Sequence, residues 1–313
     1  MTDSRSEFLT VRGLRHHVRQ WGTPGAPKLF LLHGWMDVSA SFQFVAQTLA
    51  QRWHLLAPDW RGFGLTDWPV ADGRCGSYWF PDYLADLDAL LDVYTEPGEA
   101  INLIGHSMGG NVACLYAGVR PARVRRLVNL EGFGLPPSQP IAAIRQLGRW
   151  LDDLQSMPTL RPYATLDDVA RRLRKTNPRL TPARAAWLAE RWARQARDGQ
   201  WHLLADAAHK IANPYPYRLD EAMAVWGNVS APVLHVEATD SEVLQHFVGA
   251  QGTALFRERF KVFPNLTEAF VADAGHMLHH DQPEEVARLI DDFCRESVSL
   301  GRGGATGAGR EPV

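Results

Sequence analysis

Gly105-His106-Ser107-Met108-Gly109 sets a serine hydroxyl between two glycines. The apolar run Ala100 to Ile104 precedes it, and Asn111 to Ala117 follows with the small and apolar spacing of a buried helix. A hydroxyl is a weak nucleophile until it is positioned and deprotonated. In a G-x-S-x-G turn between strand and helix the serine is held in a strained conformation at the sheet edge, and the glycines remove side chains that would collide with the turn. The chemistry this permits is nucleophilic attack followed by a covalent intermediate, which requires a base, an acid to orient that base and donors for an oxyanion.

His276, in Asp273-Ala274-Gly275-His276-Met277-Leu278, is the favoured base, because a Gly-His pair at the exit of a late strand leaves the imidazole free to reach the hydroxyl. His279 and His280 compete by proximity, but they approach Pro283, where solvent-facing loop histidines are expected. One oxyanion donor is expected from the backbone N–H of Met108, the residue after the nucleophile. The second is expected from Trp35 in His33-Gly34-Trp35, with Gly34 permitting close backbone approach. His33 reads as a structural residue hydrogen-bonded beneath that loop.

Positioning these groups requires strands that end at one edge. Strand patterns run over Phe8 to Arg12, His16 to Trp21, Lys28 to His33, His54 to Pro58, Ile101 to His106 and Val124 to Leu130. Helical patterns occupy Ala40 to Gln51, Tyr83 to Tyr94 and the stretch after Ser107. The alternation implies an α/β domain with a mostly parallel sheet and helices on both faces. From Gly134 to Trp226 the chain becomes helical and proline-punctuated, with arginine-rich segments and Trp150, Trp187, Trp192, Trp201 and Trp226. Strand character returns at Pro232 to Glu237 and near Phe270 to Ala272, before an amphipathic helix from Pro283 to Cys294. The expected organisation is a core over residues 1–133 and 227–298, a helical cap or lid over 134–226, and a disordered Gly/Ala-rich tail over 299–313. An insertion of this kind lies over the carboxyl edge of a sheet, where open α/β sheets bind ligands.

The bulk composition narrows the function classes. With 313 residues the chain has room for one large domain with an insertion. A net charge of -2 offers no reason to expect nucleic acid or an anionic membrane as partner. Solvated helix faces account for the arginines, with Asp167, Asp168, Glu190 and Asp198 as partial partners, and core packing accounts for most of the tryptophans, some being expected to line the cleft. No run is long and apolar enough to insert in a bilayer, and the polar start from Met1 to Phe8 lacks a secretory pattern, so a cytoplasmic protein is expected. Cys75, Cys114 and Cys294 are too dispersed for a disulfide framework or a metal cluster.

The motifs His33-Gly34-Trp35, Asp59-Trp60-Arg61-Gly62-Phe63-Gly64, Gly105 to Gly109 and Gly275-His276 followed by Gln282-Pro283-Glu284 together resemble the α/β-hydrolase superfamily over residues 8 to 296. Within it the chain looks most like capped esterases and serine hydrolase-like proteins. The resemblance implies an eight-stranded, mainly parallel sheet with an inserted helical cap, the catalytic order serine, acid, histidine, and no cofactor or metal. It also implies an acid after the strand Pro232 to Glu237, where Asp240 is the leading candidate. Ala238 stands there in place of the usual glycine, and Ser241 occupies the slot in which the acid normally falls. The rival is Glu131, at the end of Val124 to Leu130, the position from which some capped relatives supply their acid. Glu242 is a lesser candidate.

The expected function is hydrolysis of a small or medium carboxylic ester through an acyl-enzyme. Serine at the elbow disfavours the haloalkane dehalogenase and epoxide hydrolase chemistries, which need a carboxylate there. Hydrolysis of a thioester, a lactone or a carbon-carbon bond would use the same groups, and a small-molecule receptor on this fold is the alternative outside catalysis. Oligomeric state is left open.

Overall fold

The computed structural model describes residues 2–69, 77–248 and 253–295. Cys75 and the expected tail lie outside them. The main sheet contains β1 (Arg5–Val11), β2 (Leu14–Trp21), β3 (Lys28–Leu32), β4 (His54–Pro58), β5 (Ile101–His106), β6 (Val124–Leu130), and, after a long insertion, β9 (Val233–Ala238) and β10 (Leu266–Val271). These eight strands lie in the order β1-β2-β4-β3-β5-β6-β9-β10. Only the β1/β2 and β2/β4 pairs are antiparallel. The last strand begins earlier than the expected Phe270, because the polar residues Thr267 and Glu268 pair in register with Leu234 and His235 of β9.

Alternation along the strands sorts side chains onto two faces. Leu103, Leu127 and Val233 enter one core with α2 (Phe80–Tyr94) and α3 (Met108–Val119). Their neighbours Ile104, Val128 and Leu234 enter the other with α1 (Gln43–Leu49) and α11 (Pro283–Arg295). The short α8 (Glu242–Val248), α9 (Thr253–Glu258) and α10 (Leu278–Asp281) complete the second half.

The chain between β6 and β9 forms α4 (Ala142–Gln155), α5 (Leu166–Thr176), α6 (Pro182–Trp192) and α7 (Leu219–Trp226). It is not wholly helical as expected: β7 (Ala193–Gln195) and β8 (Trp201–Leu203) pair as an antiparallel ribbon. Thr165 caps α5 in a reciprocal box with Asp168, and Thr181 accepts from Arg184 N–H ahead of Pro182 in α6. These two helices bury Val169, Leu173, Ala185 and Leu188 in a third core that also takes Phe44. The insertion therefore has apolar support of its own. Trp226, by contrast, stacks on Phe260 and Phe263 in the main body.

Candidate active site

Ser107 sits between β5 and α3 at φ 53° and ψ -117°, a conformation that non-glycine residues adopt only where the surroundings hold them. Its backbone N–H donates to Leu130 O at 2.9 Å, and its carbonyl accepts from Asn111 N–H at 3.0 Å, the first bond of the helix. The flanking glycines are required by close approach. A Cβ on Gly105 would lie 2.3 Å from Gly109 O, and one on Gly109 would lie 2.1 Å from Leu32 O.

The Ser107 hydroxyl donates to His276 Nε2 at 2.9 Å, and His276 Nδ1–H donates to Glu131 Oε2 at 3.1 Å. Glu131 follows β6 at φ 57° and is fully buried. Its N–H donates to Val236 O at 3.0 Å, which fixes the turn to β9. Burial raises the Glu131 pKa, opposed by the bonds from His276, the Ser241 hydroxyl and the Ala238 N–H. A carboxylate in an apolar site is tolerated when such donors replace its water.

The expectation that Asp240 meets His276 is corrected by this geometry. Asp240 is half-exposed and pairs with Arg179 Nη2 at 2.7 Å, while its N–H donates to Ala274 O. The position nearest Glu131 in that turn belongs to Ser241, whose buried hydroxyl bonds the rival carboxylate. The place of Ser241 in the usual acid slot is visible in the sequence, but its bond to Glu131 is not. Glu242 lies on the other side of the loop, where Oε2 accepts from the His276 N–H at 3.1 Å.

The loop bearing His276 is held from several directions. Gly275 N–H donates to Asp281 Oδ2, which is itself oriented through Asn177 Nδ2 donating to Oδ1. Arg184 of the insertion donates to His280 O at 2.7 Å. His106 Nε2–H donates to the His276 carbonyl at 2.8 Å. His279 and His280 are buried rather than solvent-facing, because the short α10 turns them under α1 and against Phe42 and Phe44. Burial holds His280 down to about 3, and His106 and His279 well below the ordinary histidine range, so all three are neutral imidazoles near pH 7.

The expected oxyanion loop lies against the elbow. A Cβ on Gly34 would come within 3.3 Å of Ser107 Cβ, which brings the Gly34-Trp35 backbone beside the nucleophile, and the Trp35 side chain is exposed. Met108 opens α3, so its N–H belongs to the unsatisfied first turn of a helix. His33 is a structural residue: Nδ1–H donates to Gly34 O at 2.8 Å, and Nε2 accepts from Trp60 N–H at 3.0 Å. Burial lowers its pKa to about 4. The Asp59 motif is also structural. Its carboxylate accepts from His17 Nδ1–H and from the Ser39 and Leu65 N–H groups.

A mainly parallel sheet with a strained serine turn, a histidine on the last loop and a buried carboxylate defines a class of hydrolase architecture. The family model described as alpha/beta hydrolase fold matches residues 27–283, and the chain belongs to that family. It is 29% identical to a serine hydrolase-like protein of Danio rerio over 88% of this chain and 83% of the relative. It is also 26% identical to epoxide hydrolase 3 of Siraitia grosvenorii, over 93% of this chain and 98% of that one. Among solved structures, a thioesterase domain from the curacin biosynthetic pathway superposes with a TM-score of 0.80 at 25% identity, covering 92% of this chain and 99% of that one. Among the described residues no helix is long and apolar enough to cross a membrane.

Proposed function

We propose that this hydrolase cleaves carboxylic esters of small or medium acyl size with Ser107 as nucleophile, His276 as base and Glu131 as the orienting acid. The observation that carries the reading is the continuous bonding from Ser107 Oγ through both ring nitrogens of His276 to Glu131 Oε2. Ser107 attacks the carbonyl carbon as His276 Nε2 takes the hydroxyl proton. Glu131 holds Nδ1–H in place and stabilises the imidazolium. The Trp35 and Met108 N–H groups receive the oxyanion. Collapse expels the alkoxide, which takes the proton from His276, and water then enters by the same route to release the acid. No metal or cofactor is needed for these steps. Residues 134–226 serve as the cap, tied to the histidine loop through Asn177 and Arg184 and to the turn after β9 through Arg179.

A serine at the elbow favours this route over epoxide opening, which needs a carboxylate nucleophile to form an alkyl-enzyme. The likeness to a thioesterase domain supports thioesters as a second substrate class for the same groups. A short-chain aryl ester should give a stoichiometric burst of alcohol before steady turnover. Ser107→Ala should lower turnover by about 10⁶-fold; undiminished hydrolysis by that variant would sink the reading. A matched acyl thioester series then decides between oxygen and sulfur leaving groups.

A further inference from the structure

Beneath the His276 loop lies a second set of polar groups that the acyl chemistry does not consume. Asp37, His106 and His279 are 3%, 1% and 0% exposed. Each offers one ligand atom, and these atoms lie within 4.8 Å of one another. Their other bonds leave particular lone pairs over. His106 donates from Nε2 to the His276 carbonyl, so Nδ1 is its lone-pair nitrogen, and that buried atom has no hydrogen-bond partner. Asp37 Oδ1 accepts from the Val38 N–H at 2.7 Å and from the Ser41 hydroxyl, whereas Oδ2 has no partner. Neither ring nitrogen of His279 has one.

We propose that Asp37, His106 and His279 form a binding site for a divalent first-row transition ion of the zinc type, with one carboxylate and two neutral imidazoles as protein ligands. This donor set suits zinc, and a water can complete a four-coordinate shell. Metal–ligand bonds of about 2.0–2.2 Å place tetrahedral donors about 3.4 Å apart, so ring rotation and a small side-chain shift close the observed spread. Asp37 also borders a small cleft with Met36, Val38, Trp192 and Leu204. An ion here would hold His106 in the tautomer that bonds the His276 carbonyl, so the site adjoins the catalytic loop without using its reacting atoms.

The test is Zn²⁺ titration of chelator-treated full-length protein by calorimetry, with Co²⁺ absorption in the visible as a reporter of four-coordinate geometry. Wild type should bind one ion per chain. Asp37→Asn and His279→Phe should each weaken binding by more than about tenfold, whereas His276→Ala should bind as wild type does. Thermal melts establish that each variant folds, and Asp37→Asn, which keeps the side-chain shape, carries the test if His279→Phe does not. Absence of saturable binding, unchanged affinity in Asp37→Asn, or loss of the ion in His276→Ala would each overturn the proposal, the last by placing the ion on the catalytic imidazole. Because these readouts are binding and spectra, they stand apart from success or failure of the esterase reading.

Discussion

The turns after β6 and β9 end neighbouring parallel strands, and each carries a carboxylate in reach of the sheet's carboxyl edge, yet the two have opposite surroundings. Glu131 is buried at positive φ and accepts from Ala238, Ser241 and His276. Asp240 is half-exposed and bonded to Arg179 of the insertion. The first arrangement bears the cost of desolvating a carboxylate and offsets it with donors that hold the carboxylate against the His276 imidazole. The second is a surface ion pair, a type that contributes little to stability but here ties the insertion to the main body. Which carboxylate meets the histidine is thus a matter of where its oxygens point, and the serine filling the slot after β9 bonds the carboxylate arriving from β6.

Removing the buried member should have the largest effect. Glu131→Gln is expected to lower kcat by about 10³ to 10⁴-fold with folding intact, since the wrong imidazole tautomer is then favoured; stopped-flow and steady-state assays with an aryl ester check it. A loss in Asp240→Asn as large as that in Glu131→Gln would break the comparison. Removing the supporting hydroxyl in Ser241→Ala should cost about tenfold in kcat, the scale of one hydrogen bond to a charged group, and a larger drop would mean that the hydroxyl has a role beyond holding Glu131.

The same contrast has a pH-dependent side. Burial raises the folded-state pKa of Glu131 above its unfolded value. The stability this group contributes is therefore present below the unfolded pKa near 4.5 and is lost as pH rises through the folded value. Urea midpoints at pH 4 and pH 8 should show Glu131→Gln gaining on wild type as pH rises; a gap that narrows in the other direction would contradict the burial. The smallest effect is expected from Asp240→Asn, a change in kcat within about fivefold, as for an exposed pair.

Much of the framework was legible in the chain itself. Short apolar runs mark β3, β5, β6 and β9, because neighbours along a strand face opposite cores and both faces of the sheet are covered. Ser107 was legible because its glycines answer a local steric demand at 2.3 and 2.1 Å. His276 was legible from a Gly-His pair at a strand exit. The ribbon of β7 and β8 was not, since strands of three residues carry too short a pattern. The burial of His279 and His280 was also hidden, because it is created by Phe42 and Phe44, more than two hundred positions away in the chain.

Local residue patterns settled the strand order of chemistry along the chain, the serine turn and the histidine that follows the last strand, because each depends on neighbours within a few positions. Folding decided which carboxylate meets the histidine: in the one-dimensional pattern Asp240 leads and Glu131 is its rival, and only the packing of β6 beside β9 aims Glu131 at His276 and turns Asp240 toward Arg179. The same long-range packing gathers Asp37, His106 and His279 into one buried cluster, a grouping no spacing along the chain announces, since side chains from β5, α10 and the loop after β3 meet only when the sheet has closed its layers.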